Sequence, residues 1–165
     1  MLAGGSIQLR VAPMSLTLLA PSPEPAISAS PSLTREQKRQ IRETFAVIEP
    51  ASDLVARLFY MKSIDLDPSL GKLFKSPSRA QRRKFMAAMK VAVLSLDRLQ
   101  SLQPILKLLG TRQREAGVKP SHYDAFQRAW VWTLEQSLRP RFPREAKDAW
   151  SSLLGEMTRA TASAR

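Results

Sequence analysis

The chain has no cysteine and one histidine, His122, and these two shortages exclude a good deal. Without thiols neither a disulfide framework nor a thiolate metal site can form, and without a second imidazole a multi-histidine zinc site is ruled out. Carboxylates are scarce as well. The 14 Asp and Glu stand against 26 Lys and Arg, leaving a net charge of +12 over 165 residues. That excess directs attention to acidic partners such as nucleic acid or anionic lipid, although a basic surface serving solubility alone has the same composition. Val11 to Ala20 is apolar but broken by Pro13, and it falls well short of the roughly 20 residues a membrane-crossing helix needs.

Two regions differ in composition. Residues 1–32 are rich in Pro, Ser and Ala, show no sustained periodicity and carry one Arg and one Glu. This composition predicts a disordered tail ahead of a single domain over residues 33–162, and because Arg10 and Glu24 cancel, the whole charge excess lies in residues 33–165. Arg10 ahead of a short apolar run is a poor secretory signal, because the charge lies too far inside and the apolar core is weak. A cytoplasmic location is the expectation.

Helical signals fill the domain. Thr34 and Gln37 fit a capping box, followed by Ile41, Phe45 and Ile48 at helical spacing up to Pro50. Leu54, Val55, Leu58 and Phe59 form a second stripe, and Asp65 to Phe74 reads as a turn-rich corner ending on an aromatic residue. A long helix is expected from Ser78 to about Asp97, with Phe85, Met86, Met89, Val93 and Leu96 inward. A short one follows, with Leu102, Ile105, Leu106 and Leu109, left at Gly110 and Gly117. Ser121 with Asp124 reads as the cap of a helix carrying Tyr123, Phe126, Trp130, Leu134 and Leu138. Pro143 and Glu145 open the last helix, which carries Trp150, Leu153, Leu154 and Met157. No stretch shows strand alternation, so the expectation is an all-α domain of six to seven helices.

A set of local motifs carries a family resemblance. Phe59-Tyr60, Asp67-Pro68, Leu73-Phe74, Leu109-Gly110, Gly117-Val118 with His122-Tyr123, Thr133-Leu134-Glu135 and Ala149-Trp150 occur in this order. Together they resemble the globins, specifically the bacterial single-domain haemoglobins and the globin part of flavohaemoglobins. The resemblance spans about residues 33 to 160 and implies a globin-like fold with a haem pocket at Tyr60, Phe74, Gln81, Phe85, Gln113 and Tyr123. Tyr60 and Gln81 would be the distal groups that hydrogen-bond an iron-bound ligand, and Phe74 and Phe85 would pack along the haem. Read from the residues alone, Gln81 among Arg79, Arg82 and Arg83 fits a solvated face, and Phe74 and Phe85 fit ordinary core.

One position departs from the family. Gln113 stands where the resemblance places the proximal histidine, and an amide offers a carbonyl oxygen and two N–H donors but no imidazole nitrogen. His122 falls at the start of the next helix and is expected to be a surface or cap residue. Leu154 replaces a tyrosine common in the family. No glycine-rich dinucleotide loop occurs among the six glycines, so a dioxygenase complete in this chain is not expected. Ser121 beside His122 does not by adjacency make an oriented nucleophile, and no metal site recommends itself. The expectation is therefore a non-enzymatic interaction or sensory module built on a globin scaffold without haem. The alternative is a haem globin binding oxygen or nitric oxide through Tyr60 and Gln81. Lys72, Lys75, Arg79, Arg82, Arg83 and Lys84 lie in a run free of acidic residues and are the expected contacts for an anionic partner, whether protein or phosphate.

Overall fold

The computed structural model describes residues 33–74 and 76–162. The tail expected over residues 1–32, and Lys75 of the basic run, lie outside the described residues. Among the described residues seven α-helices follow one another: α1 Arg35–Ile48, α2 Ser52–Leu66, the single turn α3 Gly71–Phe74, α4 Arg79–Leu94, α5 Gln103–Glu115, α6 Pro120–Leu138 and α7 Arg144–Ala162. Three 3-10 segments, Glu49–Ala51, Pro68–Leu70 and Leu96–Leu102, make the corners. Among the described residues there is no strand.

Local chemistry sets the helix ends. Gln37 N–H donates to Thr34 Oγ1 at 3.1 Å and Thr34 N–H donates back to Gln37 Oε1 at 2.9 Å, the reciprocal box expected at the start of α1. At the next corner Asp67 is extended, and its carboxylate accepts the Ser69 N–H at 3.1 Å, which turns the chain into α3. Ser78 Oγ accepts the Gln81 N–H and caps α4. That helix ends at Leu94, and Arg98 breaks the helical backbone of the 3-10 segment beyond it.

The core sits where α2 crosses α6, closed by α4 on one side and by α1 and α7 on the other. Trp130, Trp150, Ile41, Leu134 and Leu153 are its largest enclosed side chains. Leu54, Ile105 and Leu109, expected on inward stripes, are exposed instead. Gly110 also departs from its expected part as a helix end, because α5 runs through it for five more residues. A Cβ there would lie 2.1 Å from the Thr161 carbonyl oxygen, so the glycine is what lets the backbones of α5 and α7 meet. Gly117, at φ 99°, is the residue that stops α5. Gly117 N–H donates to Arg114 O and Val118 N–H to Gln113 O, the paired bonds of a Schellman end.

Candidate functional site

Five of the six residues expected at a pocket form one continuous line of contacts. Tyr60 comes near the end of α2, buried, with its ring 5.2 Å from Phe59, 5.4 Å from Phe74 and 5.8 Å from Phe85. Phe85, one turn beyond Gln81 on α4, stacks on Phe59 at 4.2 Å and meets Trp130 edge-on at 5.5 Å. Phe74 meets Phe126 of α6 at 6.0 Å, and Phe126 meets Tyr123 at 6.4 Å. Tyr123 O–H then donates to Gln113 Oε1 of α5 at 2.8 Å. The sixth, Gln81, is half-buried in the first turn of α4, and no side-chain hydrogen bond ties it to this line among the described residues. Phe59, Phe126 and Trp130 also belong to the aromatic wall, although the sequence marks Phe126 and Trp130 only as helix-stripe residues and Phe59 only as a stripe residue and half of the Phe59-Tyr60 motif. Their spacing is that of any core helix and carries no sign of a pocket.

Burial sets the electrostatics. It pushes the Tyr60 phenol up to about 12, so the hydroxyl is a neutral donor, and among the described residues it has no hydrogen-bond partner. The Tyr123 phenol is also raised by burial, which outweighs the opposing charge of Arg114, and it remains a donor to Gln113.

His122 is buried rather than on the surface, and from the third position of α6 its ring caps the amide of Lys119, the N-cap residue. Its Nδ1 accepts the Lys119 N–H at 3.0 Å, the job expected of Ser121, which is exposed and starts no helix. The ring proton therefore sits on Nε2, 2.8 Å from Ser69 Oγ, and Ser69 O–H donates to Asp67 Oδ1 at 2.6 Å. A serine, a histidine and an aspartate thus meet, but the imidazole donates to the serine and cannot take its proton, so no nucleophile is activated. What the trio does is fasten the α2–α3 corner to the start of α6.

Helices in this order, with a ring-lined interior bounded by α2, α4, α5 and α6, define an all-α protein of globin architecture. The Globin family profile matches residues 60–161, and the chain belongs to that family. Among curated relatives, the flavohemoprotein of Bacillus subtilis is 23% identical over 118 residues, covering 70% of this chain and 30% of the relative. A flavohemoprotein of Deinococcus radiodurans is 24% identical over 129 residues, covering 76% and 32%. The chain thus spans about a third of the length of these relatives. Among solved structures, a bacterial globin from Campylobacter jejuni superposes with a TM-score of 0.68 at 17% identity, over 78% of this chain and 94% of that one. A hexacoordinated heme protein from a tardigrade gives 0.68 at 15%, over 81% and 97%.

The family implies haem, and the donors on this wall do not fit its iron. Gln113 supplies an amide whose carbonyl oxygen is already bonded. Both nitrogens of the only imidazole are engaged at another corner. Both tyrosines are held protonated by burial. The apolar wall and the Tyr60 hydroxyl would suit such a group, but nothing on the α5 side offers the imidazole that globin iron takes.

Of the basic run, Arg82 is committed inward. Its Nε donates to Asp53 Oδ1 at 2.7 Å and its Nη1 to the Pro77 carbonyl at 2.7 Å, which locks α4 to α2. Lys72, Arg79, Arg83 and Lys84 are exposed. Among the described residues no helix is long and apolar enough to cross a membrane.

Proposed function

We propose that this globin-family chain has given up iron ligation at α5 and works as a non-enzymatic module that engages an anionic partner. The observation that carries the reading is Gln113. It stands where the family resemblance places the iron-holding histidine, and its carbonyl is satisfied by Tyr123 within the protein. A bonded amide of this kind needs no metal to complete it. The anionic partner follows from the exposed cations Lys72, Arg79, Arg83 and Lys84. The activity of the much longer flavohemoproteins is not carried over.

Haemin titration of the purified chain tests the first half. The expected result is no stoichiometric Soret complex, with Gln113→His creating one. A tight one-to-one complex that survives His122→Ala would overturn the reading. The second reading, a haem globin with an unusual iron-holding side, is favoured by the unpartnered Tyr60 hydroxyl. It predicts a native Soret complex whose ligand affinity falls in Tyr60→Phe.

A further inference from the structure

α5 presents two faces, and only one of them has a partner in the domain. Leu106 and Gly110, four residues apart, are buried against α7, with Gly110 pressed to the Thr161 carbonyl. That close approach fixes the rotation of the helix about its axis. Ile105, Leu108, Leu109 and Arg112, at the i, i+3, i+4 and i+7 positions of one face, are turned away from the buried one. Ile105 is 61% exposed and Leu108 53%, an unusual outlay of large apolar surface on a helix so short. Arg112, on that same face, is exposed and has no carboxylate partner among the described salt bridges, while the equally unpaired Lys107 and Arg114 lie on the opposite flank of the helix. The sequence around α5 is also basic, although Arg82 is spent on Asp53 and Lys90 on Glu49. Residues 72–119 hold twelve Lys and Arg against only Asp97 and Glu115, which is ten of the twelve excess charges of the chain. Asp97 is itself occupied by Lys38 and Arg42.

We infer that α5 docks on an anionic lipid surface, with Ile105 and Leu108 entering the headgroup and acyl boundary, Arg112 beside them meeting a lipid phosphate and the net charge of +12 drawing the chain to the surface. The inference deepens the reading above by naming the anionic partner, and it rests on the interaction half of that reading and not on the haem half. A bilayer is favoured over nucleic acid because the exposed face that carries Arg112 is otherwise aliphatic, at Ile105, Leu108 and Leu109. Leucine and isoleucine neither stack on bases nor gain anything against phosphate, whereas they partition into a lipid interface. A bilayer is favoured over an acidic protein because the stripe is a convex ridge on one helix. A fluid interface accepts such a ridge without a matching pocket.

The absence of cysteine makes a clean test available. Leu108→Cys in the full chain carries a single environment-sensitive fluorophore, read against vesicles of phosphatidylcholine with and without a quarter of phosphatidylglycerol at physiological salt. The expected result is a blue-shifted emission with the anionic vesicles only. In co-sedimentation, Ile105→Ser with Leu108→Ser lowers partitioning more than tenfold, and Arg112→Gln lowers it by about fivefold. All of these side chains are exposed, so the variants should melt with the parent. No partitioning at all overturns the inference. So does an equal shift with neutral vesicles, or tighter binding to duplex DNA or polyglutamate that ignores the Ser substitutions. The last result would assign the cations to a nucleic acid or an acidic protein. Haemin titration reports separately on the haem half, so either half can fail alone.

Discussion

Trp150 buries its indole completely, and its N–H finds one acceptor, Thr44 Oγ1, at 2.8 Å. The threonine O–H donates in turn to the Gln40 carbonyl at 2.7 Å, so a side chain in mid-helix of α1 serves as a relay to α7. A valine at position 44 keeps the shape and removes the acceptor. The stranded N–H then costs its desolvation, about 1–3 kcal/mol. Thr44→Val is therefore expected to lower the urea midpoint with an unchanged m-value, while Thr44→Ser restores most of the loss. If Thr44→Val were neutral, the relay would be incidental to packing. Trp130 offers the contrast, since its N–H is buried with no partner among the described residues and its place rests on ring contacts with Phe59, Phe85 and Trp150. Trp150 was legible as core from its position in an amphipathic stripe. Its polar partner was not, because Thr44 lies 106 residues away and nothing in the local pattern sets it apart from any other threonine on a helix.

Helix α5 is best understood through its two glycines, which do different work. Gly117 holds a positive φ of 99° that an L side chain adopts only with strain, so Gly117→Ala is expected to cost about 1–2 kcal/mol. Gly110 has ordinary helical geometry, and alanine would favour the isolated helix by about 1 kcal/mol. In the folded chain, however, the new methyl meets the Thr161 backbone, which cannot swing aside as a side chain could. Gly110→Ala should therefore be the more damaging of the two, by at least about 2 kcal/mol on the scale of overpacked cores, and amide exchange should rise along α5 and the end of α7. A stabilised Gly110→Ala would show that the two helices do not touch there. The sequence marked both glycines as breakers, which was right for Gly117, where the reason is local, and wrong for Gly110, where the reason is a helix about fifty residues on. The same limit explains the caps. Thr34 and Gln37 form their box as read, whereas at α6 a buried His122 takes the place expected of Ser121 because Ser69 and Asp67, from a distant corner, orient its ring. At the candidate site, resemblance brought out Tyr60, Phe74, Phe85, Gln113 and Tyr123. The bond between the last two and the inward commitment of Arg82 needed the fold.

Across the whole molecule, a few carboxylates hold a chain of +12 together. Asp97 takes Lys38 and Arg42 of α1, Asp53 takes Arg82 of α4, and Asp67 ties the α3 corner to His122 of α6. All three are held below the ordinary aspartate value of 3.8. Lys38 is the leading cause for Asp97, Arg82 for Asp53 and the Ser69 hydroxyl for Asp67. A carboxyl whose folded pKa is depressed contributes stability that is complete above the unfolded value and is lost as pH falls through the folded one, since the unfolded chain there binds more protons. Glu156 has the opposite sign. Burial raises it above 4.5, so the folded state favours its protonated form and loses a little stability as pH climbs past that value. With Glu36, lowered by its bond to Arg39, four depressed carboxyls stand against one raised, which predicts a broad neutral plateau with a steep acid limb below about pH 4. Self-repulsion of the unpaired cations sharpens that limb and added salt softens it. Urea unfolding followed from pH 2 upward should show Asp97→Asn weakest relative to the parent at neutral pH and converging with it in strong acid, where the parent carboxyl is protonated too. A deficit that stayed constant across the whole range would mean that residue 97 matters for its shape rather than its charge, and that the acid limb arises elsewhere.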